Sequence, residues 1–144
     1  MRKAAAAAAV VVGVVGATVI LPGGPASALV PQHQVTLTGS AEVPGPGDPN
    51  GRGEFTWSLD GQQLCYLLSV KRIGTAAAAH IHRGGPDVAG PVKVELMAPT
   101  PASAACVEVA AGLADKLRKN PGRYYVNVHN AKYPGGAVRA QLNS

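Results

Sequence analysis

Charged residues are scarce in this chain of 144 residues, since Asp, Glu, Lys and Arg together make up only 15% of it. An average soluble domain has about 25%. The net charge of +5 falls to +3 without the first 28 residues, because Arg2 and Lys3 leave with them. This small basic excess disfavours nucleic acid as a partner. Aromatic residues make up 4%, but they fall in predicted strands or at a strand end, so their scarcity does not indicate disorder.

Signatures of common enzymes are also missing. The sequence has no G-x-S-x-G elbow, no H-E-x-x-H and no phosphate-binding loop. Its eight acidic residues are scattered, and no two have the spacing of an acid–base pair. A hydrolase therefore has almost no support. The sequence disfavours an enzyme but does not exclude one.

One long apolar run lies at the N-terminus and is not repeated elsewhere. Arg2 and Lys3 precede an apolar stretch over residues 4–21, and the small residues 26–28 follow after a Pro/Gly segment. This order predicts a secretory signal peptide over residues 1–28, cleaved after Ala28. The alternative is a membrane anchor, since the run is about long enough to span a bilayer. We expect a secreted or extracytoplasmic protein that is not held in the membrane after cleavage.

The chain has two cysteines, Cys65 and Cys106, and both lie in the exported part. An even pair outside the cytosol predicts a disulfide. The alternative is two buried free thiols. No C-x-x-C motif is present, so a role in thiol–disulfide exchange has no support.

Alternating apolar and polar residues, separated by Gly- and Pro-rich turns, are typical of β-strands. Residues 76–82 have helical propensity, but the His-Ile-His alternation favours a strand. One short helix is predicted over residues 111–119 and ends before Asn120-Pro121-Gly122. Together these features predict an all-β fold, an antiparallel, Greek-key-like β-sandwich of about seven to eight strands with one short helix. Seven segments are predicted as strands: 35–38, 53–59, 64–70, 76–82, 92–96, 124–130 and 137–142.

Three histidines are the candidate metal ligands. His80 and His82 are two residues apart, so on a strand their imidazoles point to the same face. His129 lies near the end of another predicted strand and would supply a third nitrogen. Imidazole suits copper or zinc, and three protein ligands leave one position open. The alternative is that these histidines only bond to backbone groups of nearby loops.

The sequence resembles the CHRD domain, the module named after its repeats in chordin. The resemblance rests on the blocks at residues 79–84, 90–96, 120–130 and 133–142, together with the opening at 37–44. It covers residues 33–142, nearly all of the exported chain. We therefore expect a signal peptide (1–28), a mobile leader (29–34) and a CHRD domain (35–142). In chordin the modules accompany the binding of secreted growth factors, but nothing in this sequence points to such a partner.

A more distant similarity is to the copper half of Cu,Zn superoxide dismutases, which are also Greek-key sandwiches. By motif, His80 and His82 match the H-x-H copper ligands and His129 matches the late copper ligand. Arg139 matches the arginine that guides the anion. No histidine lies between His82 and His129, so the bridging imidazole and the zinc loop are missing. The resemblance therefore implies a copper-only site without a zinc bridge.

The sequence leaves two functions open. The first is a secreted CHRD domain that binds copper through its three histidines, for sequestration or weak superoxide chemistry. The second is a metal-free extracellular structural module that meets an unidentified protein partner. The sequence names neither the partner nor the oligomeric state.

Overall fold

The computed structural model describes residues 32–143, and these residues form eight β-strands and one α-helix. In chain order the elements are β1 (His33–Thr38), β2 (Arg52–Asp60), β3 (Gln63–Lys71), β4 (Ala76–Arg83), β5 (Val92–Leu96), β6 (Ala102–Glu108), α1 (Ala111–Lys119), β7 (Tyr124–Asn130) and β8 (Val138–Gln141). Short 3-10 turns occupy Gly39–Ala41 and Pro121–Arg123. The helix lies where the sequence predicted it.

All eight strands belong to one antiparallel sheet. Its order is β5-β4-β7-β8-β1-β2-β3-β6, and each neighbouring pair runs antiparallel. One half of the sheet is β5-β4-β7-β8 and the other is β1-β2-β3-β6. The link between the two halves is narrow, since only Thr38 and Arg139 pair between β1 and β8. The predicted all-β antiparallel fold with one short helix is confirmed. The two layers of the predicted sandwich are the two halves of one curled sheet, since all eight strands are linked by pairing.

Both halves of the sheet contribute to one hydrophobic core. Phe55 and Leu68 from one half and Ile81 and Val126 from the other are fully buried in the same cluster. Successive side chains of a strand point to opposite faces, so the apolar positions of each strand face inward. Leu117 of α1 joins this cluster.

Strand β6 is not among the seven strands predicted from the sequence. The structure places Ala102–Glu108 in a strand at the edge of the sheet. Alanine and serine have weak strand propensity, so the segment carries little local signal. Its strand conformation comes from pairing with β3, where Cys106 lies directly opposite Cys65.

The N-terminal predictions fall mostly outside the described residues. The signal peptide and its cleavage after Ala28 lie there, as do residues 29–31 of the predicted leader. β1 begins at His33, two residues before the predicted strand, so the last two leader positions belong to β1. Within residues 32–143, no helix has the length and apolar character needed to cross a membrane.

Candidate metal centre

The candidate site lies on the outer face of strands β4, β7 and β8. Ala79 and Ile81 of β4 point into the core, so His80 and His82 point to the opposite face. The same alternation in β7 turns Val126 and Val128 inward, and therefore turns Tyr125, Asn127 and His129 outward. Sheet pairing aligns these residues, because His80 lies opposite Asn127 and His82 opposite Tyr125.

The three predicted histidines meet at this face. One ring nitrogen from each of His80, His82 and His129 lies within 4.8 Å of the other two. His80 Nδ1 and His129 Nε2 are 3.0 Å apart. Such a cluster could hold a metal ion. The fourth histidine, His33, is elsewhere and packs against Trp57, with ring centroids 4.7 Å apart and the ring planes tilted by 34°.

The second nitrogen of each ring bonds to an acceptor outside the cluster. His80 Nε2 lies 2.9 Å from Glu95 Oε2, His82 Nδ1 lies 2.8 Å from the Gly90 carbonyl oxygen, and His129 Nδ1 lies 2.9 Å from the Pro134 carbonyl oxygen. A carbonyl or carboxylate oxygen accepts a hydrogen bond, so each outer nitrogen carries the proton. With the protons on the outer nitrogens and all three rings neutral, as metal binding requires, the inner nitrogens would each carry a lone pair.

The inner nitrogens point towards the centre of the cluster, where hydrogen-bond donors do not satisfy all of them. His82 Nε2 is buried and has no hydrogen-bond partner among the described residues. His80 Nδ1 and His129 Nε2 are too close to face each other as two lone pairs. When no metal is bound, one of these two rings therefore carries a proton on its inner nitrogen, as the other neutral tautomer or as a cation. A metal ion would replace that proton and bind all three nitrogens.

Burial lowers the pKa of two of the three clustered imidazoles, His82 and His129. Burial is the largest effect on His82 and lowers its pKa below the ordinary value, and a positive charge on His80 would lower it further. Burial also lowers the pKa of His129, with smaller contributions from His80 and His82. Neutral imidazole is the form that binds a metal. These two rings are therefore ready to act as ligands at neutral pH.

Other polar groups behind the histidines were not predicted from the sequence. Asn127 is 2% exposed, and its side-chain oxygen Oδ1 lies 3.0 Å from His129 Nε2, from which it accepts a hydrogen bond only when that nitrogen is protonated. Glu42 is also buried, and this desolvation raises its pKa to about 7, although the charge of Arg139 opposes the rise. Both residues lie in blocks that resemble the CHRD domain, but no spacing in the sequence marks them as part of the site, because their burial depends on segments far apart in the chain.

Arg139 lies beside the histidine cluster on β8, opposite Asn127. Its side chain is 1% exposed. The guanidinium packs over the ring of Tyr125, with the Cζ carbon 3.4 Å from the ring centroid. The resemblance to Cu,Zn superoxide dismutases implies that Arg139 guides an anion. The structure adds that the charge is buried beneath the loop that follows β4.

Cys65 and Cys106 form a disulfide between β3 and β6, as predicted. The other half of the sheet carries this bond, so the bond is not part of the histidine cluster. Disulfides persist in oxidising compartments.

A family model, the CHRD domain, matches residues 33–142. This match spans most of the chain. The chain belongs to the CHRD domain family. All eight strands and all three clustered histidines of this CHRD domain lie within the matched residues. No significant match to the chain was found among curated proteins or among solved structures.

Proposed function

We propose that this CHRD domain binds a transition metal ion, with copper favoured, through His80, His82 and His129. The observation that carries the proposal is the fixed direction of the three rings. Each outer nitrogen donates to Glu95, Gly90 or Pro134, so the three inner nitrogens can all accept one cation. Metal-binding histidines typically have such an outer partner.

The chemistry of the ligands favours copper or zinc, and the resemblance to the copper half of Cu,Zn superoxide dismutases is the reason to prefer copper. All three groups are imidazoles, which suit copper and zinc better than the hard ions magnesium and calcium. Glu95 is exposed and bonds to the outer nitrogen of His80, so it is not a fourth member of the inner cluster. Three ligands leave a position open for water or a small anion.

We further propose that the protein works outside the cytoplasm, where it sequesters copper or acts weakly on superoxide. The predicted signal peptide and the Cys65–Cys106 disulfide support this location. Copper supplies one-electron chemistry when bound. Arg139 adds a positive charge close to the cluster, and such a charge attracts small anions.

The test is an anaerobic titration of the purified metal-free protein with Cu(I) and with Cu(II), each against a competing chelator. We expect one ion per chain with submicromolar affinity. The double variant His80→Ala/His82→Ala should lose at least 100-fold in affinity, because one remaining imidazole cannot hold the ion. Titration with Zn(II) ranks the two metals that imidazole prefers.

The matched control is His33→Ala, which removes a histidine that packs on Trp57 outside the cluster. This variant should bind copper as the unchanged protein does. Absence of stoichiometric binding, or equal binding by the double variant, would refute the proposal. That result would favour a metal-free structural or interaction module, in which the bonds to Glu95, Gly90 and Pro134 serve only to hold loops against the sheet.

A further inference from the structure

The loop of residues 84–91, here called the covering loop, lies over His82 and is held by side chains from three strands. Arg139 Nη2 donates to the carbonyl oxygens of Gly85 at 2.8 Å and Val88 at 3.1 Å. The Gly90 N–H donates to the Tyr125 hydroxyl at 3.1 Å. The same Gly90 offers its carbonyl oxygen to His82 Nδ1. The loop is therefore fixed at both of its ends and at its middle.

Tyr125 lies between two other side chains in a stack. Its ring is nearly parallel to His82, with an interplanar angle of 6° and centroids 4.8 Å apart. The guanidinium of Arg139 also packs on Tyr125. Rotation of the His82 ring would break this stack. Arg139, Tyr125 and His82 therefore restrain one another.

The guanidinium is suited to this task in a way that an ammonium group is not. It is planar, so it can lie flat on an aromatic ring while its N–H groups donate in the same plane. Arg139 does both, because it packs on Tyr125 and donates to two carbonyl oxygens of the covering loop. A lysine keeps the charge but has a single, non-planar donor group.

We infer that Arg139 and Tyr125 are positioning residues, which clamp the covering loop and thereby aim His82 Nε2 at the other two histidines. The inference rests on the proposed metal site and deepens it. The Gly90 carbonyl oxygen keeps the proton on His82 Nδ1, which leaves Nε2 free to bind. When the loop is released, that acceptor is lost, and the ring can turn and carry its proton on Nε2.

The test compares Arg139→Lys and Tyr125→Phe with the unchanged protein in two measurements. The first is the protonation of the two His82 nitrogens in the metal-free protein, read by nitrogen NMR at neutral pH. We expect the unchanged protein to hold the proton on Nδ1 and Arg139→Lys to give a mixture. The second is Cu(I) affinity, which should fall about 10- to 100-fold in Arg139→Lys, as is usual when an outer partner of a ligand is lost.

Tyr125→Phe removes only the hydroxyl that binds Gly90 and retains the stacked ring. We therefore expect the same direction of change as in Arg139→Lys, but a smaller one. If Arg139→Lys does not fold, Tyr125→Phe decides the question by itself. The matched control is Arg118→Lys, which alters a helical arginine that also donates to a loop carbonyl, that of Gly61. It should change neither measurement.

An unaltered His82 proton position together with unaltered Cu(I) affinity in both variants would overturn the inference. Arg139 would then act through its charge alone, which lysine preserves. The NMR measurement needs no metal. If the unchanged protein binds no copper, the proposed function fails, while the positions of the His82 proton still decide whether the clamp exists.

Discussion

Glu42 shows at the scale of one residue how the site depends on burial. Its carboxyl group occupies the space where a Cβ atom of Gly136 would be, so only a glycine at this position of the turn leaves room for it. Gly136 has a φ of 143°, which also favours glycine. Buried in this way and only partly compensated by Arg139, Glu42 has its pKa raised to about 7.

The raised pKa predicts a pH-dependent stability that Glu42→Gln removes. The folded protein binds this proton more tightly than the unfolded chain, whose glutamate has a pKa near 4.5. The stabilising effect is complete below that value and is lost as the pH rises through about 7. The free energy of unfolding of the glutamine variant, taken relative to that of the unchanged protein, should therefore rise by ~1–2 kcal/mol between pH 5 and pH 8, after allowance for solvent screening.

Urea denaturation at the two pH values measures this gain. Glu54→Gln is the control, because Glu54 is exposed on β2 and its replacement should give the same stability difference at both pH values. A difference for Glu42→Gln that does not change with pH would contradict the prediction.

At the scale of elements, the edge strand β6 depends on its one neighbour in the sheet. It lies at one edge of the sheet and pairs only with β3. Ser103 is buried and donates to the Met97 carbonyl oxygen at 2.8 Å, but most of the strand is at least partly exposed. The disulfide to Cys65 therefore holds an edge that has little apolar surface of its own.

Removal of this disulfide should destabilise the protein markedly. The two cysteines are separated by 41 residues, and the chain-entropy model gives about 4 kcal/mol for a loop of that length. The variant Cys65→Ser/Cys106→Ser should show this loss in the free energy of unfolding by urea. Reductant should bring the unchanged protein to the same level and leave the variant as it is. A loss below about 1 kcal/mol would show that the pairing of β6 needs no covalent support.

At the scale of the whole molecule, the candidate centre exists only when distant segments are folded together. Its histidines come from β4 and β7, while their outer partners come from β5, the covering loop and the turn before β8. The unfolded chain cannot assemble this arrangement. A metal that binds there must therefore stabilise the folded state by mass action.

Copper should raise the melting temperature of the metal-free protein. At a free concentration 100-fold above Kd the stabilisation is about 2.7 kcal/mol, which corresponds to ~10 °C for a domain of this size. His82→Ala should show little or no rise, and His33→Ala should match the unchanged protein. An equal rise in His82→Ala would indicate that copper stabilises the fold at another position.

The local pattern of the sequence was enough for the fold class and for the direction of the key side chains. Strand periodicity is local, so the alternation around Ile81 already placed His80 and His82 on one face. The pair of cysteines in the exported part of the chain likewise predicted the disulfide. β6 was missed because its three alanines and one serine give little local strand signal, although the bond between Cys65 and Cys106 could have indicated that the segment around Cys106 lies beside β3.

Only the tertiary structure decided how the histidines are held. The packing of Tyr125 on His82, the bonds of Arg139 to the covering loop and the burial of Glu42 all join residues far apart in the chain. Such contacts depend on strand order and loop path, which no short pattern encodes. The sequence by itself determined which side chains could bind a metal, and the fold determined which nitrogen of each ring faces the others.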